Sequence, residues 1–348
     1  MRELKQLVRE NVWNMKPYAC TDSKSDKKVA RILLNANENP YNNPINRLPD
    51  PMQKTLREKI SCMTHINPEC MFLGNGICET VDVIYRCFAE PAFENVVAFE
   101  PTSGPYRRYA EINNIEYRTV ELDSDFGLSA DKILAACDKD TKVIWLCSPN
   151  DPTGNDLDRN EILSIAERFE GIVVIDESYS DFSKSQSYVR EIHLHPNLVV
   201  MKTFDNSWGC AGLQISMAIA YADIIEVLNK VKYPHNISQP AQERMVRQID
   251  NRYEVDKWKN IILMERDRMA EAFKLLPCCK KVYPSAANFF LAEMTDANAV
   301  YNHLKKNGIR LCNVSEMPLC SNCLRITIGS KTENSELLSV LRQLEEEQ

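Results

Sequence analysis

No uninterrupted apolar run in this chain approaches the ~20 residues needed to cross a bilayer, so no spanning helix is expected. Positive charge is not in excess either. Lys and Arg number 42 against 49 Asp and Glu, giving a net charge of -7. That balance argues against nucleic acid and against anionic membrane surfaces as partners. The segment from Met1 to Glu10 is charged throughout and has no apolar core, so it does not read as a secretory signal. Internal repeats and low-complexity tracts are absent. The 13 cysteines lie scattered among core-like segments such as Trp145-Leu146-Cys147. Cys278-Cys279 and Cys320 with Cys323 are close in sequence, but a lone Cys-x-x-Cys supplies too few ligands to close a zinc site. The expectation is reduced, packing thiols in a cytoplasmic protein.

What is present is an ordinary globular composition, 44% hydrophobic and 26% charged over 348 residues, long enough for a large domain and a smaller one. Short β-branched runs alternate with helical patterns from about residue 70 to 235. The strand candidates are Phe72-Leu73, Val96–Glu100, Tyr117–Glu121, Lys142–Cys147, Ile172–Asp176, Leu198–Lys202 and Ile215–Ala220. Helix candidates between them include Cys78–Ala89, Ala130–Cys137 and Arg159–Phe169. This alternation predicts an α/β fold, a parallel sheet with crossover helices on both faces, and a ligand site at the carboxyl ends of the strands. A single long helix is expected from Ser238 to Leu276, linking to a smaller C-terminal unit. That unit has strands at Phe289–Ala292 and Cys323–Ile328 and helices at Asn298–Asn307 and Thr332–Glu346. The implied division is an N-terminal arm over 1–30, with Thr21–Lys28 mobile, a large domain over 31–237, and a linking helix with a small α/β domain over 238–348.

Several blocks then stand out in order along the chain. They are Asn35-Ala36-Asn37-Glu38-Asn39-Pro40-Tyr41, Arg47-Leu48-Pro49-Asp50-Pro51, Leu73-Gly74-Asn75-Gly76 with Glu79, and Ser148-Pro149-Asn150-Asp151-Pro152-Thr153-Gly154. Asp176-Glu177-Ser178-Tyr179, Lys202 to Gln214, Ala287-Asn288-Phe289-Phe290 and Cys323 to Gly329 follow. In order and spacing they resemble the histidinol-phosphate aminotransferase family. The resemblance implies the fold-type I architecture of transferases that depend on pyridoxal phosphate (PLP), with a mostly parallel central sheet. It also implies a homodimer, since the family builds its sites across a two-fold interface.

Part of the family's site chemistry is present. Asp176, at the end of an apolar strand, matches the aspartate that pairs with the pyridinium nitrogen; taken alone it is also readable as a helix N-cap. Tyr179 resembles the tyrosine that donates to the cofactor's phenolic oxygen. Arg325 resembles the arginine that grips the substrate α-carboxylate through its planar fork; taken alone it is also readable as a surface ion pair. Asn288, Tyr41 and Asn37 fall in blocks that the resemblance assigns to substrate binding.

The departures carry more information. Where the family has Ser-Lys, this chain has Asp205-Asn206. The lysine forms the imine with the cofactor and shuttles the Cα proton; an amide is not basic and does neither. The arginine that binds the cofactor phosphate is Gln214. The polar phosphate cup at a helix start has become Gly76-Ile77-Cys78. The tyrosine lent across the dimer is Leu48, the ring-stacking aromatic is Ser103, the asparagine beside the phenolic oxygen is Asp151, and a second substrate arginine is Cys312, with Arg310 nearby. Each charge-assisted hydrogen bond to phosphate is worth roughly 1.5–3 kcal/mol, so losing several at once weakens a dianion site severely. Lys202 lies upstream of Asn206, but its strand-end position aims it elsewhere, and Lys232 reads as a solvated surface charge.

Three readings follow. The first is a transaminase fold without PLP transamination, a pseudoenzyme acting as a binding or regulatory protein, alone or paired with an active paralogue. The second is a working aminotransferase on histidinol phosphate and 2-oxoglutarate, or a related amine, with PLP held noncovalently. The third is a new activity in the remodelled pocket, using Asp151, Asp205, Cys78 and Cys312.

Overall fold

The computed structural model describes residues 2–18, 32 and 34–346. The Thr21–Lys28 stretch, expected to be a mobile part of the arm, lies outside the described residues.

Seven strands form the large sheet: β1 (Met71–Asn75), β2 (Asn95–Glu100), β3 (Glu116–Glu121), β4 (Thr141–Cys147), β5 (Ile172–Asp176), β6 (Leu198–Thr203) and β7 (Ile215–Ile219), in the order β1-β7-β6-β5-β4-β2-β3. β4 and β5 are buried along their whole length. That is why they read as continuous apolar runs rather than as alternating strands. Two apolar clusters cover the two faces of the sheet, one around Ile144, Ile175 and Val200 and the other around Trp145, Val174 and Met201. Neighbouring residues of one strand thus point to opposite faces. Leu7, Val8 and Val12, from the short helices Leu4–Leu7 and Glu10–Asn14, pack into the second cluster.

The expectation of parallel pairing holds for β2 to β6 and fails at one strand. β7 runs antiparallel to both β6 and β1. An antiparallel partner needs only a short return of chain, and the segment from Thr203 to Ile215 supplies it. That segment contains Asn206.

The expected single helix over 238–276 is two helices, Gln239–Asp250 and Arg252–Lys274. Asn251 breaks the run with φ -93° and ψ 23°, and its N–H bonds back to the carbonyl oxygen of Gln248. Beyond it lies a four-stranded antiparallel sheet: β8 (Cys279–Val282), β9 (Phe289–Met294), β10 (Cys312–Asn313) and β11 (Cys323–Thr327), in the order β10-β11-β9-β8. β9 and β11 are legible in the sequence; β8, which is half-exposed, and β10, which is two residues long, are not. A separate apolar cluster, including Phe273, Phe290, Ile326 and Leu341, packs this sheet against its helices.

Among the described residues no helix is long and apolar enough to cross a membrane. Also among them, the cysteines are free thiols, Cys320 and Cys323 are buried, and no group of His, Cys, Asp or Glu could hold a metal ion.

Candidate functional site

The parallel strands are in register, so Cys147 of β4 lies beside Asp176 of β5, and Asp176 beside Met201 of β6. Their carboxyl ends therefore deliver Asp151, Asp176, Tyr179 and the 203–214 segment to one edge of the sheet. The helix start just after β1 adds Gly76 and the loop after β2 adds Ser103. Across from this edge stands the small sheet, with Arg325 on β11.

Asp176 is buried and fully engaged. Its Oδ1 accepts from the Ser178 backbone N–H at 2.9 Å and from Ser178 Oγ at 2.5 Å. Its Oδ2 accepts from the Tyr106 hydroxyl at 2.5 Å. Burial pushes its carboxyl above the ordinary aspartate value against the pull of these donors. Tyr106 is itself fully buried, and its ring stacks on Trp145 at 4.8 Å between centroids. Nothing in the sequence pairs positions 106 and 176; the parallel sheet between them brings them together.

Asp151 makes the second cluster. Arg325 Nη1 donates to both of its carboxylate oxygens, at 2.5 Å to Oδ2 and closer still to Oδ1. Tyr179 Oη donates to Oδ2 at 2.8 Å. The Arg325 guanidinium lies 5.3 Å from the Phe289 ring centroid, and Tyr179 meets that same ring edge-on at 5.1 Å. Arg325 Nε is buried with no hydrogen-bond partner among the described residues. The Asp151 backbone is fixed in turn, because its carbonyl accepts from the Ser103 N–H at 2.7 Å. Ser103 Oγ lies 3.8 Å from Met317 Sδ.

Asn206 sits on the return between β6 and β7, and its side-chain amide donates to the Ser178 carbonyl at 3.2 Å. Its neighbour Asp205 has a buried Oδ1 with no partner among the described residues, and burial raises its carboxyl. Lys202 does not turn toward Asn206. Its Nζ bonds Glu177 Oε2 at 2.8 Å and Ser180 Oγ at 2.7 Å, in the wall of a cavity of about 360 Å³ lined also by Phe204, Trp208 and Lys259.

At the start of the helix Gly76–Phe88, Gly76 has φ +70° and a Cβ there would meet Gln214 Oε1 at 2.6 Å. Gln214, itself left-handed at φ 50°, lays its side-chain carbonyl against this helix start and donates its amide to the Ala211 carbonyl. Glu79 Oε2 accepts from the Asn75 N–H and from Asn236 Nδ2, an acidic lock on the first turn. Ile77 packs on the apolar cluster beneath, and Cys78 is exposed.

The remaining candidates are less gathered. Cys312 lies directly opposite Arg325 in the β10–β11 pair, while Arg310 is exposed. Asn288 is half-buried, and its carbonyl accepts from the Ile328 N–H. Leu48 and Tyr41 are exposed at 53% and 77%, and Asn37 is exposed with φ 55°. This chain alone does not bring these three into the cluster. Lys232 was expected to be a solvated charge and is instead buried, donating to the Pro51 carbonyl at 2.6 Å. That carbonyl offsets the cost of burying the ammonium.

A mixed seven-stranded sheet with its site at the strand ends, faced by a small antiparallel sheet bearing an arginine, is the architecture of fold-type I PLP-dependent aminotransferases. The family described as aminotransferase class I and II matches residues 11–341. The histidinol-phosphate aminotransferase of Bacteroides thetaiotaomicron is 47% identical over 343 residues, covering 99% of each chain. That of Flavobacterium psychrophilum is 43% identical over 345 residues, covering 98% of this chain and 99% of the other. Among solved structures, the histidinol-phosphate aminotransferase from Clostridium acetobutylicum superposes with a TM-score of 0.80 at 20% identity, over 87% of this chain and 92% of that one. The Sinorhizobium meliloti protein of the same description, solved with pyridoxal-5'-phosphate, gives 0.77 at 19% identity, over 86% and 84%. The chain belongs to the histidinol-phosphate aminotransferase family of class I and II aminotransferases.

Proposed function

We propose that this chain has kept the family's fold and lost its covalent cofactor chemistry, and that it acts as a binding or regulatory protein. The observation that carries the reading is residue 206. An asparagine stands where the resemblance places the imine-forming lysine, and its amide is already spent on the Ser178 carbonyl. An amide has no basic lone pair with which to attack an aldehyde or hold a proton.

The fit of PLP to the surrounding residues is poor on three further counts. The Gln214 carbonyl faces the helix start at Gly76, where a phosphate would need donors. The Arg325 guanidinium and the Tyr179 hydroxyl are both engaged by Asp151. The Asp176 carboxylate is engaged by Tyr106 and Ser178. Lys202 is no substitute, because its ammonium is tied to the buried Glu177 carboxylate.

The reading is tested by incubating purified protein with PLP, treating it with borohydride and measuring intact mass. Unmodified protein is expected, and a stoichiometric adduct on any lysine overturns it. The family's two-fold assembly is carried over as a proposal, with the homodimer as the default and a heteromer with an active paralogue as the variant. Native mass of the protein alone and of the co-expressed pair separates them. A working aminotransferase is favoured over this reading only if turnover with histidinol phosphate and 2-oxoglutarate exceeds that of free PLP.

A further inference from the structure

Asp151 is more than a lost asparagine. Its carboxylate arrives on the loop after β4 and is clamped by Arg325 from β11, a strand of the other sheet. Tyr179 donates to the same oxygen, and the Phe289 ring supports both the guanidinium and the tyrosine. Asp151 is 8% exposed, so the carboxylate is largely removed from water. The backbone that presents it is held by Ser103 on Asp151 itself and by Asn150, whose side chain bonds the Pro101 carbonyl at 2.9 Å and Thr153 Oγ1 at 2.7 Å.

We propose that Asp151 is a resident carboxylate that occupies the Arg325 anion subsite and sets the ligand preference of this pocket against carboxylates and phosphates. The inference deepens the preceding reading and rests on it, because an emptied cofactor site is what leaves Asp151 as the partner of Arg325. A tethered group competes with free ligand at an effective concentration on the order of millimolar or more, and this one is further preorganised by its backbone. A free carboxylate that displaced it, or that took the unpartnered Nε beside it, would leave Asp151 buried next to a second anion, where like charges repel. The other acidic groups at this edge, Asp176 and Asp205, add no positive charge to compensate. Lys202, at the end of β6, is already paired with Glu177.

The test uses glutarate and inorganic phosphate as probes, without PLP, so that it can fail independently of the borohydride experiment. Binding is measured by titration calorimetry on the native protein, Asp151→Asn, Arg325→Gln and the double variant. The native protein is expected to bind glutarate weakly or not at all, and Asp151→Asn to bind it at least about tenfold more tightly, the scale of one charge-assisted pair. That gain should vanish in the double variant. Native binding as tight as that of Asp151→Asn overturns the proposal, and so does a gain that survives loss of Arg325. Should Asp151→Asn not fold, native protein and Arg325→Gln decide the matter. Equal anion binding supports the proposal, and weaker binding in Arg325→Gln means that the arginine was open all along.

Discussion

The Tyr106 hydroxyl and the Asp176 carboxylate meet at 2.5 Å inside the fold, at the position that the sequence resemblance assigns to the aspartate facing a cofactor ring nitrogen. Tyr106 thus satisfies that carboxylate oxygen from within the chain. Burial still wins over the donors, because the folded-state pKa of Asp176 lies above the ordinary value. The sign follows directly. Between the unfolded pKa and the raised folded one, the native state binds more protons than the unfolded state, so stability falls as pH rises through that window. Asp176→Asn keeps the acceptor and removes the charge. It should be at least as stable as the native protein at neutral pH, and its relative advantage should shrink as the solution is acidified below the folded pKa of Asp176. Urea melts at several pH values check this, and a variant that is less stable at neutral pH than in acid, relative to native, refutes it.

The Arg325–Asp151 pair predicts strong coupling. Removing the guanidinium in Arg325→Gln leaves a largely buried carboxylate with only the Tyr179 hydroxyl, which should cost roughly 3 kcal/mol. Asp151→Asn leaves a half-buried cation that water can still reach and should cost less. The double variant removes both charges and should lose less stability than the sum of the two single changes. Chemical denaturation of the four proteins closes the cycle, and additivity would mean that the pair contributes nothing as a pair.

The sequence makes the strands and the edge where the site lies legible, because buried parallel strands are apolar runs and chemistry collects at their ends. Ile172–Asp176 is the same strand in both readings. What stayed hidden is of three physical kinds. Strand direction is not written in residue type, so the apolar run of β7 reads no differently from its parallel neighbours. A helix broken by an asparagine leaves no Gly or Pro to mark it, so the break at Asn251 is silent in the sequence. Long-range polar pairing depends on the assembled sheets, which is why Tyr106 on Asp176 and Asp151 on Arg325 appear only in three dimensions. Lys232 belongs to the same kind, since a lysine reads as solvated until the Pro51 carbonyl that receives it is known.

Lys202 offers a separate check on whether another lysine has taken over. Glu177 has a side chain only 1% exposed, held by Lys202, by Ser187 Oγ at 2.6 Å and by the Tyr188 N–H at 2.5 Å. Lys202→Met should therefore destabilise the fold by roughly 3 kcal/mol, the cost of a buried charge left without its counter-ion. It should leave the response to PLP and borohydride unchanged. A variant of native stability that has lost a borohydride-trapped adduct would show instead that Lys202 is a reactive amine.

On the proposed reading the departures at the site act together, so restoring one should not restore the chemistry. Asn206→Lys reinstates an amine on the β6–β7 return, next to the Ser178 carbonyl that now accepts from the amide. The Gln214 carbonyl would still face the helix start, and Asp151 would still hold Arg325 and Tyr179. Each missing phosphate contact costs roughly 1.5–3 kcal/mol, which at the upper end exceeds a hundredfold in affinity. The single variant should therefore give little borohydride-trapped PLP at micromolar cofactor. Adding Gln214→Arg should raise the trapped fraction by returning a cation to the helix start. Adding Asp151→Asn should raise it again by freeing Tyr179 and removing a negative charge. Intact-mass measurement after reduction reads all three steps. If Asn206→Lys alone is fully labelled, the phosphate cup has survived its substitutions, and the missing lysine is the whole of the defect.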